Sequence, residues 1–118
     1  MILLLSVLFK VWSNEKSDNL TPVNLARGKD GITSLVVSDL FGGEFLKTKV
    51  EDEWHYYNRI NGIRYDLTSS QFKQPLQYID IIVSKEEILL SVNREQYEYH
   101  KREVLKLYST NSFPVCMK

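Results

Sequence analysis

A histidine and an aspartate near the middle of the chain could form the orienting half of a catalytic triad. Asn61-Gly62 predicts a two-residue type I′ turn, because both central residues of that turn need a positive φ. Strands on either side of the turn would place His55 and Asp66 on one face as diagonal neighbours, roughly 7–8 Å apart between backbones. A histidine held by a carboxylate activates the nucleophile of many hydrolases. A hydrolase built on this pair would need a nucleophile from elsewhere in the chain.

The same turn predicts which side chains of the hairpin face the core. Pairing Ile60 with Ile63 puts a mostly apolar set on one face, which we expect to pack inside. The other face is expected to be a polar surface in contact with solvent. That second face carries His55, Tyr57, Arg59, Arg64, Asp66 and Thr68.

A further strand is predicted from Glu44 to Val50, followed by an acidic turn over residues 51–53. Pairing Val50 with Trp54 would place Leu46, Thr48 and Val50 on the core face. The three strands then form an antiparallel meander. The sequence thus predicts a small antiparallel sheet.

A buried central helix is predicted before these strands. Apolar residues recur at spacings of three and four from Ile32 to Phe41, which indicates a helix with a wide apolar face. Gly42-Gly43 stands where a C-terminal cap belongs. Asp30 stands where an N-cap belongs, and we interpret it as that cap, with a functional carboxylate as the alternative.

Helices are also predicted at both ends of the chain. Ile2 to Trp12 is expected to form a buried or partly buried helix, with a membrane-surface anchor as the alternative; the apolar run is too short to span a bilayer. Residues 13–27 form a polar connection. Ser84 begins a capping box for a short helix through residue 91. Asn93 begins a charged helix, on which His100 is expected to be solvated, and residues 110–118 form a frayed tail.

Composition narrows the class of protein. The chain has 118 residues, which suits a single domain over residues 1–118. Its 15 basic and 15 acidic residues balance, so no charge excess points to nucleic acid. The single cysteine, Cys116, excludes an intrachain disulfide and a multi-cysteine metal site. We expect a cytoplasmic protein with no cofactor, no metal and no membrane span.

Three blocks of sequence together resemble a known family. They are Ala26-Arg27-Gly28, the segment from Leu35 to Glu44, and His55 to Arg59 with Tyr65 to Phe72. They resemble the YunG-like family of small uncharacterised bacterial proteins over about residues 2–108. In that family Gly-Gln-Cys usually enters the helix, and with the later His and Asp it looks like a papain-like Cys-His-Asp arrangement. The resemblance implies an α+β fold, a buried central helix on a small antiparallel meander with flanking terminal helices, similar to a reduced papain-like core.

The chain departs from that pattern at the nucleophile. Gly28 matches, but Lys29 and Asp30 stand where the family has Gln and Cys. His55 and Asp66 carry over by resemblance, while Asp30 occupies the place of the cysteine. A carboxylate cannot replace a thiolate in acyl transfer without a different mechanism.

Three functions stay open. We favour a non-catalytic relative of cysteine hydrolases that binds a peptide or protein in a remnant cleft near Asp30, His55 and Asp66. The second is an enzyme that uses these three residues for acid–base chemistry. The third is a structural or interaction module whose polar hairpin face is solvated. The distances among the three side chains distinguish the third from the others, and the sequence gives no indication of oligomeric state.

Overall fold

The computed structural model describes residues 1–15 and 28–111. The predicted connection from residue 16 to residue 27, the end of the predicted tail from residue 112 and Cys116 lie outside the described residues. The described chain is an α+β fold, as the sequence predicted.

Helices make up one layer of the described structure. They are α1 (Ile2–Glu15), α2 (Asp30–Phe41), α3 (Lys85–Ser91) and α4 (Arg94–Asn111). The first two turns of α2, from Gly31 to Val37, are buried throughout. Helices α3 and α4 pack on α2, and α1 packs on α4. Helix α2 is therefore the central helix that the apolar pattern predicted.

Strands form a four-stranded antiparallel sheet in the order β3-β2-β1-β4. They are β1 (Glu44–Val50), β2 (Glu53–Ile60), β3 (Ile63–Tyr65) and β4 (Ile81–Val83). The first three form the predicted meander, and β4 adds to the free edge of β1. Helix α2 packs mainly on β2.

Several local predictions at helix ends are confirmed. The Ser84 hydroxyl accepts a hydrogen bond from the Glu87 N–H, as in the predicted capping box. The Asn93 side chain accepts one from the Gln96 N–H at the start of α4.

His100 is fully buried, so the prediction that it is solvated was wrong. No helix within the described residues has both the length and the apolar character needed to span a bilayer.

The predicted register between β1 and β2 is wrong by one residue. Val50 pairs with Glu53 rather than with Trp54, because the turn contains two residues, Glu51-Asp52, and not three. Glu51 adopts the left-handed conformation that so short a turn requires, with φ of 56°. A shift of one residue moves every side chain of a strand to the other face. Leu46 and Thr48 therefore lie on the same face as Tyr57 and His55.

The face predicted to contact solvent is buried at His55, Tyr57 and Thr68, whereas Arg64 near the hairpin turn is exposed. His55 is 3% exposed and Tyr57 is 2% exposed, whereas Trp54 on the opposite face is 40% exposed. Residues 66–80, which we call the strap, leave the end of β3 and cross this face before β4. The helices cover the other face, where the Asn58 amide donates to the Ser34 carbonyl. Both faces of the sheet are covered, so the alternation of polar and apolar residues did not distinguish core from solvent.

Two glycines are required by the backbone around the sheet. Asn61 and Gly62 have φ of 52° and 81°, which confirms the predicted type I′ turn. Gly43 joins α2 to β1 with φ of 86°, and a Cβ there would lie 2.6 Å from the Arg59 carbonyl oxygen. Gly43 therefore meets two constraints, a left-handed conformation and a close backbone contact, whereas Gly62 meets only the first.

Replacing each glycine with alanine should separate these two constraints. We expect Gly62→Ala to lower the free energy of unfolding by about 1 kcal/mol, through backbone strain alone. Gly43→Ala should lower it by about 3 kcal/mol, because strain and the collision with the Arg59 carbonyl add. Urea denaturation of both variants measures the difference. Equal losses would show that the chain between α2 and β1 does not approach β2 as described.

Candidate functional site

The three residues singled out from the sequence converge in the structure. His55 lies on β2, and its Nε2 is 2.7 Å from Asp66 Oδ2 at the beginning of the strap. Its other ring nitrogen, Nδ1, is 3.6 Å from Oδ2 of Asp30. The His55 and Asp66 side chains are only 3% and 5% exposed. One imidazole therefore stands between two carboxylates, one at each ring nitrogen.

Asp66 is held by other donors besides His55. The Tyr78 hydroxyl donates to Asp66 Oδ2 at 2.8 Å. The backbone N–H and the hydroxyl of Thr68 donate to Asp66 Oδ1 at 3.3 and 3.2 Å. A carboxylate with this many donors is held in one orientation. Because an ionised carboxylate only accepts hydrogen bonds, the proton of the His55–Asp66 contact lies on Nε2 of the imidazole.

Asp30 does not cap its helix, so the N-cap prediction was wrong. Lys29 holds the N-cap position of α2 and makes no capping hydrogen bond through its side chain, and Asp30 is the first helical residue. The Asp30 carboxylate instead accepts a hydrogen bond of 2.9 Å from the Tyr56 N–H on β2. This contact joins the start of the central helix to the strand that carries His55. The functional alternative for Asp30 stays a prediction.

The strap is fastened to the sheet by hydrogen bonds on both sides of Tyr78. The Thr48 hydroxyl donates to the Gln77 carbonyl and accepts from the Ile79 N–H. Asp80, which has φ of 54°, accepts two hydrogen bonds from Arg64 and one from the Tyr57 hydroxyl. These bonds, the Arg64 guanidinium above all, lower the pKa of Asp80. They hold Tyr78 against Tyr57 and above the His55–Asp66 pair.

A cleft opens beside the His55 ring. Its volume is about 260 Å³, and its lining includes Asp30, Glu51, Glu53, Trp54, His55 and Phe72. Gln71 and Gly28 close one end, where the Gln71 side-chain oxygen is 3.4 Å from the Gly28 N–H. The Phe72 ring meets the His55 ring edge to face, with centroids 4.9 Å apart. His55 and Asp30 therefore border the cleft, with Nδ1 on the Asp30 side of the ring, whereas Asp66 is nearly buried and does not line the cleft.

Phe72 also borders a second groove on the strap. This groove has a volume of about 410 Å³ and is lined by Lys73, Pro75, Leu76 and Tyr78 among others. The two depressions are neighbours and share Phe72 as a lining residue. Within the described residues, no group of His, Cys, Asp or Glu side chains has the arrangement of a metal site.

Sequence reasoning missed several residues that complete this site. Tyr78, Gln71 and Asp80 come from the strap, whose path over the sheet no short-range pattern indicates. Thr68 follows Asp66 by two residues, and an Asp that bonds the backbone two residues later is a recognised turn signal. That signal could have placed Thr68 beside Asp66, but no comparable signal exists for Tyr78.

The fold and the site define the class of protein. It is a small α+β protein in which a His–Asp pair faces the start of the central helix. The YunG protein family matches residues 2–109. The chain is also 45% identical over 97 residues to a Bacillus subtilis (strain 168) protein named "Uncharacterized protein YunG", an alignment that covers 82% of this chain and 84% of that relative. This chain therefore belongs to the YunG family. No solved structure matches it.

The Tyr78 hydroxyl gives a test of the sealed side of the site. Burial, followed by the hydrogen bond to Asp66, raises the pKa of Tyr78 above its ordinary range. A tyrosine with a raised pKa contributes its full stability below about pH 10, the unfolded value, and loses it as the pH rises through the folded value. Tyr78→Phe should lower the free energy of unfolding by about 1–2 kcal/mol at pH 8. It should also make the alkaline loss of stability shallower than in the wild type.

Urea denaturation between pH 8 and pH 11 measures both effects. Burial also raises the pKa of Tyr57 and Tyr97, so the alkaline loss should be reduced in Tyr78→Phe rather than abolished. An identical dependence on pH in the wild type and the variant would contradict a buried Tyr78–Asp66 hydrogen bond.

Proposed function

We propose that this protein binds a peptide or protein segment in the cleft beside His55 and does not hydrolyse it. The observation that carries the proposal is the position of Asp30. Its carboxylate lies 3.6 Å from His55 Nδ1, on the side of the ring opposite Asp66. In a nucleophile–His–Asp arrangement this is where the nucleophile gives its proton to the ring. A carboxylate has no such proton to give.

The sealed side of the site supports this proposal. The His55–Asp66 pair keeps the buried, oriented geometry of a catalytic histidine, although the nucleophile position holds an acid. Such a pair holds the His55 ring in one orientation, so that the ring and the Asp30 carboxylate can contact a ligand in the cleft. The solvated-module alternative is disfavoured, because His55 and Tyr57 on the polar hairpin face are buried and the start of α2 lies beside His55.

The shape of the surface favours an extended ligand. The cleft alone is smaller than most sites for drug-sized molecules. Joined to the second groove at Phe72, it offers a track that suits several residues of an extended chain. The track has aromatic and apolar contacts at Trp54, Phe72 and Leu76, with polar groups at the His55 end.

Acid–base catalysis by Asp30, His55 and Asp66 is the second candidate. The observation in its favour is the imidazole with a carboxylate at each nitrogen, since such a ring can pass protons. The two proposals differ in whether they predict that the protein turns over a substrate. A panel of fluorogenic peptides and esters should give no hydrolysis by the wild-type protein above that of His55→Ala. Turnover by the wild-type protein that is lost in His55→Ala would contradict a function of binding without hydrolysis.

A cysteine introduced at the nucleophile position tests whether Asp30 occupies that place. In a Cys116→Ser background, Asp30→Cys should be alkylated by iodoacetamide at pH 6.5 at least about tenfold faster than the same chain unfolded in urea. The reason is that a helix start and a neighbouring histidine lower the pKa of a thiol. Adding His55→Ala should remove most of this acceleration. Equal rates in the folded and unfolded chain would contradict the assignment.

Peptide binding itself is tested by selection. Displayed random heptapeptides selected on the immobilised wild-type protein should converge on related sequences. Synthetic copies of those sequences should shift the amide resonances of Trp54 and Phe72 in the NMR spectrum. The proposal would be wrong if the selected peptides shifted only resonances remote from the cleft, or if none bound saturably.

A further inference from the structure

The cleft carries an excess of negative charge. Three carboxylate residues line it, Asp30, Glu51 and Glu53. Among the described residues that form the lining, none is a lysine or an arginine. Negative charge concentrated in a concave site attracts cations and increases their local concentration.

Elsewhere on the surface, several acidic side chains of the described chain are ion-paired. Glu44 pairs with Arg59, Asp80 with Arg64, and Glu87 with Lys47, at 2.6–2.7 Å. By contrast, no described residue forms an ion pair or a hydrogen bond with the side chain of Glu51 or Glu53. Both lie at the β1–β2 turn, where the left-handed conformation of Glu51 sets the path of the rim. Within the described residues, Glu51 and Glu53 at the rim of the cleft are thus two carboxylates without an ion-pair partner.

The His55 ring adds an acceptor at the base of the cleft. Its Nε2 proton is committed to Asp66, which leaves Nδ1 as the nitrogen that faces the cleft. Asp30 Oδ2 lies 3.6 Å from Nδ1, beyond hydrogen-bond length. His55 is 3% exposed and is one of the residues that line the cleft. A lone pair and a carboxylate at this spacing match a ligand group with several N–H donors.

We propose that the cleft binds an ammonium or guanidinium group of a peptide, held by Asp30 and His55 Nδ1 with Glu51 and Glu53 at the rim. The inference rests on the peptide-binding function proposed above and names the ligand class for that site. A lysine ammonium has three N–H donors and an arginine guanidinium has five, enough to reach both acceptors together. An apolar residue beside the cation would pack at Phe72 and in the groove lined by Pro75 and Leu76. The ligand is therefore a basic residue next to an apolar one.

A set of short peptides tests this recognition on the full chain. The first probe is acetyl-Gly-Phe-Lys-Phe-Gly-amide, in which lysine has an apolar neighbour on either side, so that chain direction does not matter. The matched probe replaces lysine with norleucine, which keeps the aliphatic stem and removes the charge. A third probe has norleucine and a free amino terminus, and it separates a side-chain ammonium from a terminal one.

NMR titration of labelled protein measures each dissociation constant from the resonances of Trp54, His55 and Phe72. The lysine peptide should bind at least about tenfold more tightly than the blocked norleucine peptide, the scale of one charge-assisted hydrogen bond. If the free-terminus peptide binds as tightly as the lysine peptide, the cation is a chain terminus instead of a side chain, which also supports the proposal. Equal binding by all three would overturn it.

Protein variants provide the matched controls. Glu51→Gln with Glu53→Gln should weaken binding of the lysine peptide by about three- to tenfold and reduce its dependence on salt. Asp52→Asn removes a charge from the same turn but outside the cleft lining, so it should change affinity less than twofold. An equal loss in Asp52→Asn would show general charge attraction and overturn the proposal.

The outcomes also separate this inference from the proposed function. If the lysine and norleucine peptides shift the same cleft resonances with equal affinity, cation recognition fails while peptide binding stands. If no probe shifts those resonances saturably, cation recognition fails, and the peptide selection described above decides the proposed function independently.

Discussion

The hydrogen bond between His55 Nε2 and Asp66 Oδ2 is the contact on which the arrangement of the site depends. It joins β2 to the first residue of the strap, with both side chains almost fully buried. A buried charge and a buried ring nitrogen are costly unless they satisfy each other. The strap supplies further donors, from Thr68 and Tyr78, and thereby closes over the pair. Burial of this face and orientation of the imidazole therefore have the same cause.

Asp30 provides the second link, between the central helix and the sheet. Its carboxylate accepts the Tyr56 N–H and approaches His55 from the side opposite Asp66. This geometry places the N-terminus of α2 against the ring, as in a domain built around a nucleophile at a helix start. The same position now holds an acceptor, which changes what the ring can do. In the function that we propose, the ring donates a lone pair to a ligand and does not abstract a proton.

Local patterns predicted much of the fold and singled out three residues whose side chains lie together in the structure. The Asn61-Gly62 turn, the central helix and the caps at Ser84 and Asn93 depend on short-range chemistry, and the structure confirms them. The β1–β2 register depended on whether the acidic turn has two residues or three, and Glu51 adopts a conformation that its residue type does not signal. The path of the strap over the sheet was the larger error of the sequence-based prediction. A long-range covering segment leaves no periodicity, so a buried polar face looked like a solvated one.

The tautomer of His55 tests the central claim most directly. The chain has two histidines, and their surroundings require opposite protonation. His55 Nε2 faces a carboxylate, whereas His100 Nδ1 faces the Gln96 carbonyl at 2.7 Å. Because both oxygens only accept, ring nitrogen-15 spectra at pH 8 should show a proton on Nε2 in His55 and on Nδ1 in His100. The His55 ring proton should also exchange slowly with water. A proton on Nδ1 of His55 with Nε2 bare, or rapid exchange of its ring proton, would contradict the account.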